Sequence, residues 1–189
     1  MGVKKNLERY YTVFDEENRL LSQSGQVEYL TSMKYIHDFL AGDKQKRILE
    51  IGAGTGRYCV ELAKEGYPAF VGPSFGKKSK MELAHKGFTT PAVLHAAGVP
   101  VSIITDAPVT PLEALPMCAA LAVSSGLDEE TAWRAITINP ATQTGIGDRV
   151  GSLEVGKDAD IVIWTADPMH TVGAEALMTI VDGKVVYGE

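Results

Sequence analysis

Cysteine is scarce in this chain. Cys59 and Cys118 are the only two among 189 residues, too few for a disulfide framework, so a reducing compartment and a cytoplasmic location are expected. Basic charge is also short: 18 Lys and Arg stand against 24 Asp and Glu, a formal net charge of -6. That balance argues against a general nucleic-acid binder. Long apolar runs are missing; a stretch such as 117–123 falls far below the roughly 20 residues a bilayer span needs, so no membrane partner is expected. The first twenty residues have no apolar core of the signal-peptide kind. No internal repeat and no low-complexity linker breaks the chain. What is present is an ordinary globular mix, 45% hydrophobic and 22% charged, which excludes disordered and fibrous classes. The length suits one domain, or two small ones that share a core.

Residues 1–24 are polar, with Tyr10, Tyr11, Val13 and Phe14 as apolar anchors, and fit a helical arm. Val27, Leu30, Met33, Ile36 and Leu40 recur at three- and four-residue spacing and predict one buried helix face, closed by Gly42. The apolar run 47–51 predicts a buried parallel strand, and a helix should follow from about Gly56 to Glu65, stopped by Gly66. Strands are expected at 69–72 and 101–105, with a helix from Thr90–Pro91 to Gly98 between them. Ser79 with Glu82 has the capping-box spacing. Thr110, Pro111 and Glu113 supply an N-cap, an N1 proline and a capping-box glutamate, predicting a helix to about Val123. Asp128 should cap the next helix, with Leu127 and Ala132 as a hydrophobic staple and Pro140 beyond its end. After Val150 the pattern becomes β-rich: 161–164 is a β-branched run. Asp182-Gly183 between 180–181 and 185–187 is a hairpin signal of type I′.

The sharpest local signal is Glu50-Ile51-Gly52-Ala53-Gly54-Thr55-Gly56, set between a predicted strand and a predicted helix. Glycines let the backbone turn tightly and approach a ligand with no Cβ in the way. The helix that follows offers free N–H groups and the positive end of its dipole. A tight βα turn with no ligand is the plain alternative. Cys59 and Cys118 fall in predicted helices and are expected to be small buried hydrophobes. Trp133 and Trp164 are expected in the core, Asp158 and Asp160 in a turn before a strand, and Lys77, Lys78 and Lys80 in a solvated loop.

The phrase LEIGAGTGRY resembles motif I of class I S-adenosylmethionine-dependent methyltransferases, over about residues 1–67. The resemblance implies that Glu50, Gly52, Gly54 and Gly56 bind the cofactor. The family's ribose-holding acid should then stand near Gly72 and Pro73, where this chain has no carboxylate. From about Pro68 the chain resembles the C-terminal part of metal-dependent amidohydrolases, the imidazolonepropionase-like branch above all. The residues that carry this are FVGPSFGKKSKMEL, TPAVLHAAGVPVSIITDAPV, LEALPMCAALAVSSGL and AITINPATQTGIGDRVGSLEVGKDADIVIW. The resemblance implies that FVGPS and SIITD are the last two strands of a (β/α)8 barrel. Asp106 then matches the last-strand aspartate, which binds metal and shuttles a proton, at the end where barrel active sites collect. It also implies a His-x-His pair on an earlier strand. This sequence has none, and its histidines are His37, His85, His95 and His170. One aspartate cannot hold a catalytic ion that needs three or more protein ligands, so no bound metal is expected and Asp106 reads as a hydrogen-bonded strand-end carboxylate left from an ancestor.

The two resemblances together imply a chimera joined near Pro68, without turnover and with at most residual S-adenosylmethionine binding at the glycine loop. The expected fold class is α/β. It is a parallel-sheet core of βα units, a Rossmann-like piece joined to a TIM-barrel fragment, with helices on its faces and a small β-rich C-terminal tail. Residues 1–67, 68–145 and 146–189 are its expected parts, and strands 47–51, 69–72 and 101–105 its expected core. Unpaired strand edges predict a homo-oligomer. A methyltransferase with a rebuilt pocket, and a metal-dependent amidohydrolase completed across subunits, are the alternatives.

Overall fold

The structure, a computed structural model, describes residues 16–43, 57–72, 75 and 87–188. These fall into two units, one ending at Glu65 and one comprising 66–72, Phe75 and 87–188.

In the first unit α1 (Glu16–Arg19) leads into α2 (Gln23–Leu40), and α3 is Arg57–Lys64. Ser22 caps α2 by accepting the Gly25 N–H through Oγ at 3.1 Å. Its end lies at Ala41 and Gly42, both left-handed, as the glycine suggests. The expected apolar face is buried at Met33 and Leu40, whereas Val27 and Leu30 are exposed. Spacing defined the stripe, but the described contacts cover only its C-terminal half. The Tyr29 ring packs on Tyr58 of α3, with Arg57 over its face, and His37 meets Glu65 at 2.9 Å. Cys59 is exposed on α3, against expectation, while Cys118 is buried.

The second unit is built on a parallel pair, β1 (Ala69–Val71) and β2 (Val101–Ile103), in register Ala69 with Val101 and Val71 with Ile103. The strand predicted at 47–51 lies outside the described residues, so the parallel sheet described has two strands. Helix α4 (Thr90–Ala96) comes between them in sequence. After β2 come a 3-10 turn (Leu112–Ala114), α5 (Leu115–Ser124), α6 (Glu129–Ile136) and α7 (Ile138–Gln143), and α4 to α7 all pack on β2. The α/β class holds, with a small parallel sheet; no Rossmann piece is seen among the described residues.

Two boundaries depart from expectation for one reason. A helix begun at Pro111 would place Pro116 in its interior, where the ring removes a hydrogen bond and strikes the preceding turn. The helix instead starts at Leu115, which puts Pro116 in its first turn. The Thr110 cap does not form, and its buried Oγ1 has no hydrogen-bond partner. Pro140 likewise opens α7 rather than trailing α6. The Asp128 cap does form: the Thr131 N–H donates to Oδ1 at 2.9 Å.

The core is made where α5 meets α6. Cys118, Ala119, Ala122, Leu127, Ala132 and Ala135 are buried there with Ile103. Small residues on both helices let their backbones come close, and Leu127 fills the corner between them. Met169, from a distant loop, is buried in the same cluster.

The tail is an antiparallel sheet of β3 (Ile161–Trp164), β4 (Ala176–Val181) and β5 (Lys184–Tyr187), with β4 central. Asp182 and Gly183 both have positive φ, which is the type I′ turn their sequence signals. Asp160 accepts the Asp182 N–H through Oδ1 and Arg149 holds Asp158, so these two aspartates are structural, as expected. No helix among the described residues is long and apolar enough to cross a membrane.

Candidate functional site

Because β1 and β2 are parallel, their C-terminal ends open on the same side. The two strands are locked there by close approach. The Ile104 N–H donates to the Val71 carbonyl at 2.9 Å, and Gly72 lies so near Ile104 that a Cβ would sit 2.1 Å from its carbonyl oxygen. No side chain of any kind fits at Gly72, so a ribose-binding acid has no place at that position.

Asp106 follows three residues after β2. Its φ of 53° is left-handed, a conformation Asp and Asn tolerate better than most residues. The Asp106 carbonyl accepts the Val109 N–H at 2.8 Å, which closes the turn and leaves the side chain exposed. An exposed carboxylate at a parallel strand end can hold a cation or carry a proton.

The opposite flank of β2 is held by side chains of α7. Asn139 donates from Nδ2 to the Val101 carbonyl at 2.8 Å, and Gln143 donates to the Pro100 carbonyl at 3.3 Å. The fully buried Ser102 hydroxyl donates to Gln143 Oε1 at 2.7 Å. Asn139 and Gln143 are four apart and so share one helix face. That spacing was the available signal, though nothing local says the face meets a strand.

A second group of ligating side chains lies elsewhere in the same unit. Glu129 in the first turn of α6 meets Asp167 and His170 of the β3–β4 loop, their ligand atoms all within 4.8 Å of one another. Sequence reasoning missed this group because about forty residues separate Glu129 from the other two. The described histidines are each engaged by a carboxylate: His37 by Glu65, His95 by Asp128, His170 by Glu129. Glu50, Gly52, Gly54 and Gly56 lie outside the described residues. A cavity of about 660 Å³ opens between α6, α7 and β3, walled mainly by Trp133, Ile136, Ile161, Val162 and Trp164. The two tryptophans thus serve as apolar wall.

The second unit thus has a parallel strand pair with a carboxylate just beyond its C-terminal end, helices packed on β2 and an antiparallel tail sheet. The sequence model of the amidohydrolase family matches residues 19–187, and the chain belongs to that family. A crystal structure of an amidohydrolase from Thermotoga maritima superposes with a TM-score of 0.66 and 36% identity, over 72% of this chain and 36% of that one. The imidazolonepropionase of Thermoplasma acidophilum is 35% identical over 97 residues, 48% of this chain and 24% of its own. Amidohydrolase tasK of Hapsidospora irregularis is 32% identical over 97 residues, 51% of this chain and 10% of its own. The chain therefore spans from a tenth to a quarter of the length of these curated relatives.

These findings correct three expectations. The family match runs unbroken in range from 19 to 187, across the seam inferred near Pro68, so the reading as a silent chimera fails. Nothing in these findings supports a methyltransferase part, and S-adenosylmethionine is withdrawn as a cofactor. The expectation of no metal is not upheld either: members of the amidohydrolase family are typically metal-dependent, and Glu129, Asp167 and His170 bring three possible ligand atoms within 4.8 Å of one another.

Proposed function

We propose that this chain forms the closing βα units and tail of a metal-dependent hydrolase that opens a cyclic amide such as imidazolonepropionate. Asp106 is its strand-end carboxylate. The observation that carries the reading is the exposed Asp106 in its left-handed turn beyond β2, in a chain matched to the amidohydrolase family over 19–187. Among the described residues at the strand ends, Asp106 is one candidate ligand. A catalytic divalent ion needs about three protein ligands, so this set by itself does not fit the ion. The role that falls to Asp106 itself is to take a proton from the attacking water as its oxygen bonds to the amide carbon, and to pass that proton to the ring nitrogen as the C–N bond breaks.

Completion across subunits is the reading that follows, and the tail sheet favours it. Every residue of the β5 edge strand is exposed, Val185, Val186 and Tyr187 included, and such an edge pairs readily with another chain. The test is an assay of the full chain, loaded with zinc, iron or manganese, against a panel of cyclic amides at several protein concentrations. Turnover that rises faster than linearly with protein and drops at least a hundredfold in Asp106→Asn is expected. No turnover at any concentration, or turnover indifferent to Asp106→Asn, overturns the proposal.

A further inference from the structure

The geometry points to a second, non-catalytic metal site, formed by Glu129, Asp167 and His170, that takes a zinc-class divalent cation and ties the tail to the helical layer. It does not depend on the strand-end reading.

The donor set is one imidazole nitrogen and two carboxylates. Imidazole suits zinc and its neighbours over calcium or magnesium, and two carboxylates balance a divalent charge. Zinc bonds to such atoms run near 2.1 Å, which places two ligands of a tetrahedral ion roughly 3.4 Å apart. His170 Nε2 and Glu129 Oε2 stand 3.1 Å apart, and all three donors fall within 4.8 Å. Small rotations of exposed side chains suffice to close on an ion, and a water can complete its shell.

The supports of the three donors are already in place. The Met169 N–H donates to Asp167 Oδ1 at 2.8 Å, which orients that carboxylate. The Asp167 carbonyl accepts from the N–H groups of His170 and Thr171 at 3.2 and 2.9 Å, so the turn from 167 to 170 is fixed. Met169, between the two ligands in sequence, is 8% exposed and packs into the α5–α6 core. The core thereby holds the loop against α6, and Glu129 is placed by the Asp128 cap one residue before it. A bound ion would add a cross-link between α6 and the β3–β4 loop, so that opening either element would release the metal.

The experiment is zinc titration of chelator-stripped full chain by calorimetry, with cobalt(II) visible absorption and the thermal midpoint as parallel readouts. One zinc equivalent is expected, together with a raised midpoint and cobalt bands that show nitrogen–oxygen coordination. His170→Ala and Asp167→Asn should each weaken zinc at least tenfold and cancel the rise in midpoint. Glu113→Gln, an exposed carboxylate outside the group, should leave all three readouts unchanged, and any zinc lost in Asp106→Asn belongs to the strand-end site instead. If either variant misfolds by circular dichroism, Glu129→Gln takes its place with the same expectation. Absence of zinc binding at millimolar metal, binding that survives both substitutions, or binding lost in Glu113→Gln overturns the proposal. In the first case the His170–Glu129 contact is a plain ion pair.

Discussion

Asn139→Ala tests the claim that α7 stands in for a neighbouring strand on β2. In the native chain Asn139 Nδ2 donates to the Val101 carbonyl at 2.8 Å, and Val101 is 2% exposed. Truncation removes the donor and leaves a buried backbone acceptor with nothing to bond. A net hydrogen bond contributes about 1 kcal/mol, but a buried acceptor left unpaired costs about 1–3 kcal/mol. The expected loss is therefore about 2 kcal/mol. Gln143 cannot take over, since its amide is already engaged by Ser102 and Pro100. The assay is urea unfolding followed by tryptophan fluorescence. Trp133 and Trp164 are the only two tryptophans, and both lie in the unit that contains β2 and α7, so the signal reports the right part. With a typical m-value of about 2 kcal/mol per molar, the midpoint should fall by about 1 M urea with m unchanged. A shift under about 0.2 M would mean that water replaces Asn139 at no cost, and that the α7 amides are not what holds β2.

Two further outcomes follow from the core and from the caps. Leu127→Ala empties the corner between α5 and α6, where Leu127 is 3% exposed. It should cost about 2–5 kcal/mol in the same urea assay, and a loss below 1 kcal/mol would mean that the corner collapses freely. Asp128 has its carboxyl held below the usual aspartate range, first by the Thr131 hydroxyl and then by the Thr131 N–H. A lowered folded value means the cap contributes fully above the ordinary aspartate range and fades as pH falls through the lowered value. Asp128→Asn, which caps without titrating, should flatten the acid limb of the stability curve. Identical acid limbs in the two proteins would refute the assignment.

Several elements were legible from local chemistry. The Asp182-Gly183 hairpin and the Asp128 cap each need a few adjacent residues, and the structure shows both as read. The Thr110-Pro111-Glu113 signal was equally local and still misled, because Pro116 lies five residues on and vetoes the early start. The glycine run after Glu50 lies outside the described residues, and as a short motif it did not say which enzyme owns it. For Asp106 a match to a known pattern placed the residue, and the backbone then showed the left-handed turn that exposes it.

Composition, caps, turn residues and the two β-rich and α-rich stretches were determined by the sequence itself, because each rests on interactions between residues a few positions apart. Tertiary structure decided the rest. It closed the β2 flank with amides from α7, and left half of the α2 stripe exposed. It also carried His170 and Asp167 to Glu129 by burying Met169 in a core some thirty residues away in sequence. Those outcomes depend on which surfaces meet, and a linear pattern has no term for distance between residues that the chain itself keeps far apart.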